Sequence, residues 1–437
     1  MAGRCGAALA TSSAGRGPWK CWSRTGWSPP TRDVCHCATV GRPGGCGARH
    51  VSGDPYPRRM SILEGLPTVC MGMLSTSGGS SIAALSLGAA LRQEGLAVRY
   101  LHCDPLGARP EDTRVLSPER AMLAAHSLDV DAAFTSPLEV CEQLLRLHDT
   151  APFGLLHLHN LQVFGLPAYF LRRLRGVPYV VTFHGSDVLN ETLLGTRPEV
   201  TREVLRDAAA VTCVSRYLAD ALAHRLPELP SADVVHNFLR PELRRPWLPE
   251  TDLTDRFLHV SSLRPVKRPE LLLAAFARLH ALRPHATLRL VTTHRGALRA
   301  GELLASYPLR DAVTVLVGED DTDVLAREYR QATALVLTSR FESFGLVMLE
   351  ALAHGLPVVA PAVGGIPEVL GTDWPLLVRG DTADPEAYAA RMAQVADGTM
   401  KPLLRERAAE VLERFDGSRQ VADYVRVYAR ALSAGSA

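Results

Sequence analysis

Glu342-Ser-Phe-Gly-Leu-Val-Met-Leu-Glu350 decides how this chain is read: two carboxylates eight residues apart, with a glycine between them and an apolar run beyond it. Gly345 stands where a loop can turn into a helix, and the N–H groups of a helix's first turn find no partner within the helix. Such groups bind anions. The space between Glu342 and Glu350 therefore suits a diphosphate. Eight residues of helix rise about 12 Å, roughly the reach from the ribose of a nucleotide diphosphate sugar to the sugar beyond it, so one Glu holds each end. The competing reading is an ordinary amphipathic helix, Leu346 to His354, carrying two solvated glutamates. The glycine turn and the buried-strand pattern that follows, with Gly364-Gly365-Ile-Pro-Glu368 after it, favour the ligand.

On both sides of this stretch short apolar runs alternate with helical ones, the pattern of a parallel sheet covered by helices. Strands are expected at 67–73, 97–103, 155–158, 179–183, 210–214 and 233–236, with a small-residue turn at Ser75 to Ser81 and a helix at Ile82 to Glu94. A polar segment punctuated by Pro241, Pro246 and Pro249 reads as a linker. A second series follows, with strands at 257–261, 287–291, 313–317, 334–337 and 357–360 and helices near 270–282, 324–332 and 346–354. The expectation is an α/β protein of two Rossmann-like doubly wound domains, 61–243 and 254–416, facing across a cleft. A C-terminal helix within 417–437 packs back on the first. In open parallel sheets ligands bind beyond the carboxyl ends of the strands.

The 437 residues carry a formal charge of +2, but nine Lys/Arg against two Asp/Glu fall in residues 1–60, leaving −5 for the rest. A slightly acidic body lacks the clustered basic face of a nucleic-acid binder. No stretch approaches the apolar length of a membrane span. Residues 1–60 hold five of the nine Cys and three of the five Trp amid Gly, Pro, Arg and Ser; they are expected to be a disordered extension, with Met60 as an alternative natural start. Cys35-His36-Cys37 with Cys46 lacks the paired spacing of a structural zinc site. Cys70, Cys103, Cys141 and Cys213 lie in apolar runs, as reduced thiols of a cytoplasmic protein would.

Three further clusters carry chemistry. Arg264-Pro-Val-Lys267-Arg268 follows the first strand of the second series and would supply positive charge to a departing diphosphate, against a solvated basic turn as the plainer account. His184-Gly185 follows a buried strand of the first series, where the glycine lets a ligand approach the backbone. Gly78-Gly79 before a helix could present N–H groups to a phosphate or carboxylate. His157 and His159 share a strand face and are read as structural. Asp129-Val-Asp131 and Asp321-Thr-Asp323 have the spacing of metal-dependent sugar transferases, but Asp323 is read as a helix cap and no metal is expected.

Together these motifs resemble the retaining glycosyltransferases of the GT-B fold, family 4, from Leu66 onward. The resemblance implies that Glu342 contacts the donor sugar and Glu350 the ribose hydroxyls. Backbone amides of Ser343, Phe344, Gly345 and Leu346 would approach the sugar and diphosphate. Lys267 would meet the diphosphate, helped by Arg264 and Arg268, and His184 would reach the sugar from the other domain. It further implies a nucleotide diphosphate sugar (UDP-GlcNAc-like or a GDP-sugar) as co-substrate, no cofactor, and front-face attack with retention. More narrowly the motifs are similar to the N-acetylglucosaminyl-malate synthases of bacillithiol biosynthesis, with His236-Asn-Phe238 and Thr182-Phe-His184-Gly-Ser-Asp187 among the matches. The wider family has Arg where Ser262 stands; Arg264 follows the narrower group. Arg202 falls near that group's acceptor site, with Arg206 and Arg216 as neighbours, implying a small polar acceptor such as L-malate. A thiol or thione acceptor such as ergothioneine, a nucleotide-sugar epimerase and an inactive binding module are the alternatives, and a homodimer stays open.

Overall fold

The computed structural model describes residues 65–74, 78–102, 137–189, 198–240, 243, 255–318 and 321–434. The 1–60 segment, Ser75 to Ser77, Cys103, Asp129, Asp131 and the linker prolines lie outside them. The described residues form two six-stranded parallel sheets. The first contains β1 (Val69–Met73), β2 (Val98–His102), β3 (Leu155–Leu158), β4 (Tyr179–Phe183), β5 (Ala210–Cys213) and β6 (Asp233–Val234). Its order is β2-β1-β3-β4-β5-β6, reversing direction between β1 and β3. β1, β3 and β4 are buried along their whole length, as strands covered on both faces must be.

Helices α1 (Gly79–Gln93), α2 (Pro137–Thr150), α3 (Leu161–Arg175), α4 (Ser186–Leu189), α5 (Pro198–Asp207) and α6 (Arg216–Arg225) connect these strands. Local chemistry sets their ends: Asn160 caps α3 by accepting from the Val163 N–H, and Ser215 caps α6 by accepting from the Leu218 N–H.

The second sheet contains β7 (Arg256–Val260), β8 (Thr287–Thr292), β9 (Val313–Val317), β10 (Ala334–Val336), β11 (Val358–Pro361) and β12 (Leu377–Val378). Its order is β12-β11-β10-β7-β8-β9, so the reversal falls between β7 and β10. The helices are α7 (Pro269–Leu282), α8 (His294–Leu304), α9 (Thr322–Gln331), α10 (Leu346–Ala353), α11 (Ile366–Leu370), α12 (Pro385–Ala396), α13 (Lys401–Arg414) and α14 (Ser418–Ala434). Asp321, not Asp323, caps α9, because the helix opens at Thr322 and the Asp321 carboxylate accepts from the N–H groups of Asp323 and Val324. α14 returns to the first lobe, where Val421, Tyr424, Val425 and Tyr428 join the core beneath β1 and α1.

Candidate active site

The loop between β10 and α10 is folded by contacts on three sides. Gly345, at φ +85°, turns the chain into α10, whose N-terminus has no side-chain cap. Gly364 and Gly365 lie flat on the Glu342–Ser343 backbone: a Cβ on either would come within 2.2 Å and 2.1 Å of the Glu342 and Ser343 carbonyl oxygens, and the Gly365 N–H donates to the Glu342 carbonyl at 2.7 Å. From the first lobe, Gly185 at φ +140° abuts the same loop so closely that a Cβ would sit 1.8 Å from Ser343 Oγ. Only glycine fits these two approaches. Because α10 begins at Leu346, only about 6 Å of helical rise separates its start from Glu350. The helix lies within the expected 346–354, but the stretch from Glu342 to Gly345 is loop, so the helical reach of about 12 Å between the two carboxylates does not apply.

Lys267 Nζ donates to Glu342 Oε2 at 2.6 Å, and both side chains keep some exposure. Arg268, at φ +48°, donates to the carbonyls of Thr338 and Ser339 at 2.8 Å and 3.0 Å. Thr338 Oγ1 returns bonds to the Lys267 and Arg268 carbonyls. Arg268 therefore stitches the basic turn to the loop that carries Glu342. Arg264 is exposed, its Nε 3.3 Å from Ser262 Oγ. Beneath the turn, His259 Nδ1–H donates to the Val336 carbonyl and Nε2 accepts from Ser261, whose Oγ takes the Leu263 N–H.

Glu350 is only 3 % exposed. Its Oε1 accepts from Arg240 Nε and Nη2 at 3.0 Å and 2.7 Å, and its Oε2 from the Tyr329 hydroxyl at 2.9 Å. A ribose would have to share or displace these partners. Arg240 escaped the sequence reading; it lies just past His236-Asn-Phe238, where the chain leaves the first lobe.

In the first lobe His184 Nε2 meets His159 Nδ1 at 2.9 Å, and the His159 ring lies 4.1 Å, centroid to centroid, from that of His157. Burial holds His184 down to about 4 and His157 to about 3. The two histidines read as structural thus lie directly behind His184. Gly78 and Gly79 open α1 without a side-chain cap, and a Cβ on either would meet nothing within 4 Å. Ala83, Ser86 and Leu87 of α1 line a small pocket with His159, His184 and His236. Arg202 pairs with Glu228 at 2.8 Å and Arg206 with Glu203 at 3.7 Å, so each has a partner from its own lobe. Glu368, from the Gly-Gly-Ile-Pro-Glu run, crosses between lobes: it accepts from the N–H groups of Arg216 and Tyr217 and from His236 Nε2 at 2.6 Å.

Two doubly wound lobes facing across such a cleft constitute the GT-B architecture. Residues 78–238 match the glycosyl transferase 4-like domain and residues 254–397 the glycosyl transferases group 1. The chain is 27 % identical to N-acetyl-alpha-D-glucosaminyl L-malate synthase of Bacillus anthracis, over 80 % of this chain and 93 % of that one. It is 30 % identical to D-inositol 3-phosphate glycosyltransferase 2 of Catenulispora acidiphila, over 69 % and 75 %. The sucrose-phosphate synthase structure from Thermosynechococcus elongatus superposes with a TM-score of 0.67 at 24 % identity, covering 84 % of this chain and 99 % of that one. The chain belongs to the group 1 glycosyl transferases of GT-B fold. No helix among the described residues is long and apolar enough to cross a membrane.

Proposed function

We propose that this glycosyltransferase moves a sugar from a nucleotide diphosphate sugar to a small acceptor bearing a carboxylate or phosphate, with retention at the anomeric carbon and without a metal ion. The Lys267–Glu342 pair at 2.6 Å, beside the uncapped start of α10, is the observation that carries this reading. With no donor bound, the ammonium and carboxylate neutralise each other. On donor binding Lys267 turns to the diphosphate and Glu342 to the sugar hydroxyls. The N–H groups from Ser343 to Leu346 take phosphate oxygens, and Arg264 adds charge from the rim. Arg268 acts by holding the turn. Glu350 meets the ribose only by sharing its carboxylate with Arg240.

In the reaction the C1–O bond to the β-phosphate breaks as the acceptor oxygen bonds C1 from the same face. The acceptor proton passes to the departing phosphate, so no protein carboxylate need act as nucleophile. Positive charge at Lys267 and Arg264 offsets what grows on the diphosphate. An anionic acceptor agrees with the relatives named for L-malate and for D-inositol 3-phosphate. Arg216, exposed at the start of α6, stands on the lobe that would receive it.

Mass spectrometry tests the reading: UDP- and GDP-sugars are incubated with malate, inositol 3-phosphate and ergothioneine, with and without chelator. A glycosylated anion formed in chelator is the expected product. Donor turnover without any acceptor would instead identify an epimerase or hydrolase.

A further inference from the structure

We infer that His159 is a positioning residue, donating its Nδ1–H to His184 Nε2 and thereby fixing His184 as the tautomer that carries its proton on Nδ1. This rests on the proposed transfer from a nucleotide sugar, with His184 reaching the donor sugar as the family resemblance implies. Both rings are neutral at physiological pH, since burial holds His159 well below, and His184 about at 4 against, the ordinary histidine range. In a neutral pair joined at 2.9 Å one nitrogen must donate and the other accept.

The far nitrogen of His159 decides which. His159 Nε2 is fully enclosed and meets no hydrogen-bond partner. If His184 were the donor, His159 would keep its proton on Nε2, an orphaned buried N–H. Among backbone groups, buried N–H groups without an acceptor are rarer than carbonyls short of a donor, and we apply the same preference to the ring. With His159 as donor, the enclosed atom is a bare lone pair. His184 Nε2 then accepts, so its neutral ring carries the proton on Nδ1 and offers it to an oxygen of the bound sugar.

The ring of His159 is itself held. His157 lies 4.1 Å away and is fixed at both nitrogens, Nδ1 to the Tyr428 hydroxyl at 2.8 Å and Nε2 to Thr182 Oγ1 at 2.6 Å. The C-terminal helix α14, which supplies Tyr428, thereby supports the histidine array from behind.

Nitrogen-15 NMR of histidine-labelled protein without substrate is the direct test, with His184 signals assigned by their loss in His184→Asn. A protonated Nδ1 and an unprotonated Nε2 on His184 are expected; the reverse would overturn the inference even if no His159 variant folds. Two variants extend the test to function. His159→Asn places an amide N–H near Nδ1 and should keep both tautomer and turnover, whereas His159→Leu should mix the tautomers and lower kcat/KM for the donor by on the order of tenfold or more. Equal impairment of both variants would count against orientation by hydrogen bond. Unchanged turnover in His159→Leu would overturn the positioning role of His159, whatever the tautomer found in the wild type.

Discussion

The two sheets place opposite chemistry at matching positions. In the first lobe His157 lies within β3, His159 just past it and His184 just past β4, side by side and kept neutral by burial. Beyond the β7/β10 reversal of the second stand Lys267, Glu342, Arg264 and Arg268, whose charges are balanced by pairing or left at the rim. One wall offers hydrogen bonds without charge; the other offers charge that a ligand can redirect. A polar but neutral sugar and a charged diphosphate call for these two different walls. Burial suppresses ionisation on the first wall, while the Lys267–Glu342 pair of the second keeps some exposure.

The sharpest way to break the charged wall is at its deepest pair. Arg240→Ala leaves Glu350 buried with only the Tyr329 hydroxyl, and loss of one partner of a buried ion pair costs about 3–5 kcal/mol. Urea denaturation should show that loss, and adding Glu350→Gln should recover much of it by removing the stranded charge. Next come Lys267→Ala and Glu342→Gln, each expected to lower sugar transfer on the order of 10²-fold or more. Wild-type rates in both would remove the charged wall from the chemistry. Gly185→Ala tests whether the walls must touch: its Cβ would overlap Ser343 Oγ and lie 2.9 Å from Ser343 Cβ at a strained φ, so the hydroxyl must turn and the two loops shift apart. A fall in kcat of about tenfold is expected, short of the roughly 10²-fold that a 1 Å misplacement can reach.

How far the sequence could show this depended on the range of each interaction. Strands covered on both faces read as continuous apolar runs, so β3 and β4 lie where expected, as does the apolar edge strand β9, and two α/β series match the two sheets. β12 is two residues long, too short for any periodicity, and α13 buries only Leu404, Ala408 and Val411, too thin a stripe to stand out. Lys267 drew attention as one of three cations following a strand end, and Glu342 because a glycine turn and a second carboxylate follow it. Arg240, and the reach of Glu368 across to the first lobe, did not, since their partners lie 110 and 152 positions away on the other lobe, and nothing periodic links such distant residues. The bond from His159 to His184, 25 positions apart, had a faint signal: histidines at the ends of two strands that turn out to be neighbours in the sheet.

The neutral wall makes its own prediction, the smallest per residue, about acid stability. His157, at about 3, and His184 and His259, each at about 4, lie below the 6.5 of an unfolded histidine, and His159 is lowered well below it too. Between pH 6.5 and 5 the unfolded chain therefore binds protons that the fold refuses. Stability is complete above pH 6.5 and falls as pH drops toward the folded values, by about 1.4 kcal/mol per pH unit for each such histidine. Three of these four stand on the first lobe's wall and one, His259, beneath the second. Replacing His259 with Gln should thus leave most of the proton uptake on unfolding, measured by titrating denaturation between pH 5 and 7, whereas His157→Gln with His159→Asn should remove about two protons of it. A slope equally unaffected by both sets would mean that the neutrality of the first wall is not maintained by burial, and the contrast between the two walls would fail with it.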